Sequence, residues 1–303
     1  MINSKFTLKK FLILIGAIYF YSYAILILSS TVLAPGKPID YEQLIECLLP
    51  FSHSAYWFLT DYILLMILSP FLNRLIKSLT KEKFLGLLIL VLIIWSIIPT
   101  FIGIKSFDIN DLIWFIVLYL IGSFIRLHID IPKLKMKKLL LALFASLTIL
   151  FVVSCIANIY TNFELVKPLY KTLFHENNIL MIFSSILLLL IFLRRKSFSN
   201  RYINYISGSV LGIYMIHDNI LLRKYIWDGI FHVSSYYNSN NFLIVMMVII
   251  ITVFASCIII DVLRRLTVEK VWILVVDKID LKLSAWLNNK TKRLESKMDY
   301  YLK

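Results

Sequence analysis

Near the end of a long apolar run the sequence places Tyr214, His217, Asp218 and Asn219, with Arg223 just beyond. An earlier apolar run carries Trp57 and Asp61. These are the side chains equipped for chemistry. An imidazole and two carboxylates can hold a polar substrate, a guanidinium offers a planar two-pronged contact, and an indole can stack on a sugar. An ionisable side chain inside a bilayer costs at least ~2.5–3.5 kcal/mol, so each marks a functional site by default. His217 and Asp218 are neighbours in sequence and point about 100° apart on a helix, so they do not pair; Tyr214 neighbours both. Asp61 lies about five residues into its run, roughly 7 Å at 1.5 Å per residue. His217 and Asp218 come near the outer end of theirs. The two groups are expected at similar depth, with Asp61 placed to reach His217 or Arg223. The same residues also suit interhelical glue, with Arg223 snorkelling to lipid phosphates. Sequence alone leaves both roles open.

The elements that position these residues are membrane helices. Eight stretches are candidates for spans: Phe11–Ser30, Tyr56–Asn73, Phe84–Ile104, Ile109–Leu127, Leu139–Ile159, Asn178–Leu193, Tyr205–Leu222 and Phe242–Ile260. Most approach the roughly 20 apolar residues that a ~30 Å hydrocarbon layer asks of a helix. With 60% hydrophobic residues, 15% aromatics and a mean hydropathy of +0.82, the chain exceeds what a soluble core can hide. The expected fold is an all-α polytopic bundle over residues 1–263, followed by a basic tail over 264–303. Tyr56, Trp57 and Trp114 read as interfacial belt residues, and Gly208-x-x-x-Gly212 as a close-packing motif.

The net charge of +14 is unevenly placed. With the N-terminus inside, 26 of the 32 Lys and Arg fall on the inner side; Lys37, Lys105, Lys167, Lys171, Arg223 and Lys224 fall outside. That bias puts both termini in the cytoplasm of a multi-pass cell-membrane protein. It makes membrane lipids the partners of the basic charge, and not nucleic acid. The first segment has a Lys-rich start, but its apolar run is too long and too rich in Tyr for a cleaved signal, so it reads as a retained helix. In the tail, Trp272, Val275, Val276, Ile279, Leu283, Trp286 and Leu287 share one helical face, opposite Asp277, Lys278, Asp280 and Lys282. Such a helix fits a membrane interface or a berth under the bundle equally well.

Cys47, Cys155 and Cys257 show no paired spacing, and the five histidines form no metal-binding pattern, so neither a disulfide framework nor a metal is expected. Phosphate-binding glycine loops and nucleophile elbows are missing from the sequence.

Three segments resemble acyltransferase family 3, membrane-bound O-acyltransferases of bacterial surface polysaccharides. YWFLTDYILLMILSPFLN (Tyr56–Asn73) is similar to that family's YWF…SPFLN stretch, and LYLIGSFIRLH (Leu118–His128) to its YLIG helix end. ISGSVLGIYMIHDNILLR (Ile206–Arg223), with Trp227 after it, resembles the family's GIYLIH-[DE]-N…R…W segment. The matches keep their order and cover most of the chain to about Asp261. The resemblance implies transfer of an acyl group, usually acetyl, from acyl-CoA to a sugar hydroxyl of a cell-surface glycan or lipid-linked sugar. Asp61, Trp57, Tyr214, His217, Asp218 and Arg223 would then bind the substrate. It also implies a first helix with an Arg followed by an essential His, and an SGY/F element, and neither has a counterpart here. The sequence begins where the family's third helix would begin, after Phe6-Thr7-Leu8-Lys9-Lys10. No catalytic residue is carried over, and the chain alone is expected to transfer no acyl group. Two other readings remain: a polysaccharide transporter or flippase-like protein without acyl chemistry, and an inactive scaffold.

Overall fold

The computed structural model describes residues 8–33, 39–51, 56–102, 111–159 and 175–282. Phe6 and Thr7 of the junction, Lys37, Lys105, Lys167, Lys171, and Leu283, Trp286 and Leu287 of the tail lie outside the described residues. Among the described residues the regular elements are all helical, and six helices are long and apolar enough to cross a membrane. The protein is therefore an all-α membrane protein. The chain divides into two compact units, one of residues 1–4 and 61–198 and one of residues 5–60 and 199–303.

The first unit holds most of α3 (Trp57–Ser78), then α4 (Lys81–Leu92), α5 (Ile98–Ile102), α6 (Asp111–His128), α7 (Met136–Ile159) and α8 (Ile179–Arg194). Its core joins Phe84, Leu88 and Val91 of α4 to Trp114, Val117 and Phe124 of α6 and Ile182 of α8. Trp114 is thus a core residue, 4% exposed, and not a belt residue. An indole this large finds more apolar contact between helices than at a headgroup layer. Two prolines fall within helical runs, and each frees a carbonyl four residues back by lacking an N–H. Pro70 lies inside α3, where the Ser69 hydroxyl donates to Met66 O at 2.9 Å. Pro99 follows a π-helical stretch, Ile93–Ile97, and the Trp95 carbonyl it leaves accepts from Asn177 Nδ2 at 3.1 Å.

The second unit begins with α1 (Leu8–Leu28), prolonged by a π turn over Ser29–Leu33. Next, α2 (Tyr41–Leu48) packs back along α1, where the Ser22 hydroxyl donates to Cys47 O at 2.6 Å. The C-terminal part contains α9 (Arg201–Ser207), α10 (Val210–His217), α11 (Ile220–Lys224), α12 (Phe242–Leu266) and α13 (residues 268–282). Here the sequence-based expectation of one continuous helix over Tyr205–Leu222 is corrected: the helical run is broken twice. At the first break Gly208 and Ser209 leave regular helix, with Ser209 at φ −94°, ψ −2°. At the second, Asp218 adopts φ −101°, ψ 4°, and Asn219 caps α11 by accepting from Leu221 N at 3.0 Å. Short polar side chains compete with the helical backbone for its own hydrogen bonds, which is why the run stops there. Helical structure then resumes and runs on through a π stretch, Tyr225–Ile230. The charges at Arg223 and Lys224, which looked like a span end, sit inside this run.

Candidate functional site

The second break in that run gathers the polar residues. His217 ends α10, and its Nδ1 lies 2.6 Å from Ile213 O. A carbonyl only accepts, so Nδ1 is the donor, and in the neutral ring Nε2 is then the acceptor. The ring meets Trp227 edge-on, with centroids 6.5 Å apart. Asn219 is buried at 2% exposure and donates from Nδ2 to the Tyr56 hydroxyl at 2.7 Å; that hydroxyl donates in turn to Met215 O at 3.2 Å. Tyr56, at 1% exposure, is therefore a strut between α3 and the break, which corrects its reading as a belt residue. A phenol with both hydrogen-bonding roles filled by protein gains nothing from the headgroup layer. Tyr214 packs its ring against Tyr56 and Phe58, at 6.1 and 5.8 Å between centroids. Asp218 pairs loosely with Arg223 at 3.4 Å, so the guanidinium, largely exposed, keeps donors to offer. Trp57 is 39% exposed and meets Phe58 edge-on at 6.0 Å.

Of the residues expected to act together, Tyr214, His217, Asp218 and Arg223 cluster at the break, and Trp57 touches Phe58 beside it. Asp61 belongs to the first unit, where it is half-buried. Sequence reading missed the structural parts played by Tyr56 and Asn219. The packing of α10 on α12 is set by two glycines. A Cβ on Gly212 would fall 2.3 Å from Asp261 Oδ1, and one on Gly208 2.6 Å from Arg265 Nη1. The two helices thus run antiparallel, with residue 212 beside 261 and residue 208 beside 265.

A second polar group went unnoticed in the sequence. Asp261, fully buried, accepts from the Tyr21 hydroxyl at 2.6 Å and from Arg264 Nε at 3.0 Å. Arg265 Nε stands 3.1 Å from its Oδ2, at ion-pair distance but off the line of a hydrogen bond. Arg265 also donates from Nη2 to Ser209 Oγ at 2.8 Å and to Tyr205 O at 3.0 Å. The Gly208/Gly212 motif is what lets α10 approach this network. The spacing of Asp261, Arg264 and Arg265, three and four residues apart, was the available signal. It was lost because the span was ended at Ile260. Among the described residues, no three His, Cys, Asp or Glu side chains converge as metal ligands would.

Six apolar helices of membrane-crossing length, with an imidazole and hydrogen-bonded polar side chains gathered where two short helices meet, define a polytopic membrane protein with a candidate polar site. The sequence model of the acyltransferase-domain family matches residues 2–261, and the chain belongs to that family. No curated protein and no solved structure matches the chain.

Proposed function

We propose that this protein serves O-acyl transfer from an acyl-CoA, usually acetyl-CoA, to a sugar hydroxyl of a cell-surface polysaccharide or lipid-linked sugar. It does so in a bacterial plasma membrane with both termini in the cytoplasm. In that reaction the hydroxyl oxygen attacks the thioester carbonyl, the C–S bond breaks, coenzyme A leaves as the thiol, and the hydroxyl proton passes to a base. The observation that carries this reading is the cluster of polar side chains at the Asp218–Asn219 break of an acyltransferase-family chain. The carbonyl of Ile213 takes the Nδ1–H of His217, so the neutral ring offers Nε2 to a hydroxyl's hydrogen. Arg223 and Asp218 beside it suit a polyhydroxylated acceptor, and Trp57 offers a ring to stack on. Asp61, in the other unit, has a part in acceptor binding that rests on the cost of its placement. Basic loops on the cytoplasmic side suit a phosphorylated donor.

The test is acyl transfer in proteoliposomes with labelled acetyl-CoA and glycan, run on the 303-residue chain alone and beside the first two helices of a family member. Acyl-CoA-dependent labelling of the glycan in either arm supports the reading, and transfer by the chain alone would place the base at His217 or another residue of this chain. Silence in both arms overturns it. The same broken helix also favours a transport reading, since discontinuous membrane helices line substrate paths. Glycan movement across the vesicle without acyl-CoA would identify that alternative.

A further inference from the structure

The charges of α13 (residues 268–282) are sorted by face in a way its sequence does not announce. Its acidic residues turn toward the protein. Glu269 accepts from Arg264 Nη2 at 2.7 Å, Asp277 pairs with Lys9 of α1 at 2.5 Å, and Asp280 is half-buried on the same side. The Trp272 indole donates to Leu12 O at 3.0 Å and fills the niche left by Gly16, while Val276 is fully buried. The other face carries no acid. At 100° per residue, Lys270, Val271, Leu274, Lys278, Leu281 and Lys282 fall within one arc of about 120°. Val271 and Leu274 are each 64% exposed and Leu281 72%, and all three lysines are exposed.

We propose that this face is a docking surface for anionic phospholipid, with the aliphatic side chains at the acyl boundary and the lysines on headgroup phosphates. Only Thr267 separates α13 from the membrane-crossing α12, and α13 is pinned to the first turns of α1, so it stays at the bilayer surface. Aliphatic residues interleaved with lysines suit a lipid interface, where long stems snorkel. Protein–protein interface cores, by contrast, are depleted in lysine. Pairing the acids inward leaves three uncompensated positive charges facing out. The inference rests on the membrane reading of α1 and α12 and is independent of acyl transfer.

The test uses the full chain in nanodiscs of phosphatidylcholine alone or mixed with phosphatidylglycerol. Nitroxide labels at Val271→Cys, Leu274→Cys and Leu281→Cys, in a Cys155→Ser background, should collide more with oxygen than with a water-soluble nickel chelate. The protein should retain phosphatidylglycerol over phosphatidylcholine in native mass spectra. At about five-fold per lysine near a charged surface, replacing Lys270, Lys278 and Lys282 together by Gln should cut that preference at least ten-fold, and replacing them by Arg should preserve it. Should the Gln variant fail to reconstitute, the wild-type preference must still fall as salt is raised, since headgroup attraction is screened. Nickel-favoured collisions at residues 271 and 274 would mark a water-facing surface, as for a soluble protein partner. That result, or a lipid preference unchanged by lysine removal or salt, overturns the proposal.

Discussion

At the scale of single residues, His217 joins two properties that a helix end can supply. Its Nδ1–H is spent on the Ile213 carbonyl, and in the neutral ring its Nε2 is then free to accept. His217→Asn keeps an N–H in place of Nδ1 but nothing in place of Nε2. In whichever assay arm transfers acyl groups, this variant should cut turnover more than it cuts abundance. Equal loss of turnover and abundance would reduce His217 to packing. Arg223→Lys should raise KM for the glycan, because ammonium lacks the planar fork. An unchanged KM removes Arg223 from acceptor binding. Tyr56→Phe is a stability matter: it leaves Asn219 Nδ2 and Met215 O without the hydroxyl that joins them. Its thermal unfolding in detergent should show a loss of about 1–3 kcal/mol.

At the scale of elements, the second unit depends on α1, α10 and α12 meeting around Asp261. Removing one partner from a buried ion network strands the others, so Asp261→Ala should cost about 3–5 kcal/mol. Gly212→Ala drives a methyl into the same carboxylate and should destabilise as well. The double variant should lose clearly less than the sum of the two, because both act through one network. Additive losses in denaturation midpoints would separate the glycine from the network. These contacts mark where the sequence was readable and where it was not. Apolar runs announced the long helices, since hydrocarbon imposes length and composition on whatever crosses it. A break within such a run is decided by individual side chains. Asn219 reads as one polar residue until it is seen capping α11 and bracing Tyr56. Asn177 meets the carbonyl orphaned by Pro99 from 82 positions away, a partnership that no local pattern encodes. The glycine spacing at 208 and 212 foretold close packing but not the carboxylate and guanidinium that use it.

For the whole molecule, the question is which way the bundle faces. Within the second unit, the first turns of α1 and the helix after α12 lie together: Trp272 bonds to Leu12 O, and Lys9 pairs with Asp277. The start of α1 and the helix after α12 therefore lie at the same end of that unit. The proposed side rests on charge: loops rich in Lys and Arg favour the cytoplasm, and 26 of 32 basic residues fall on one side of the expected spans. The broken helical run does not disturb that count. Moving Arg223 and Lys224 from an outer loop into a helical run only removes charge from the outer side. Lys81 and Lys135 are exposed, at the start of α4 and just ahead of α7, so cysteines placed there report the side without touching the core. In intact cells, Lys81→Cys and Lys135→Cys should resist a membrane-impermeant maleimide and label fully once the membrane is opened. Strong labelling from outside at either position would invert the bundle. It would also place the basic loops away from the coenzyme A pool, and the acyl-CoA reading would fall with the orientation.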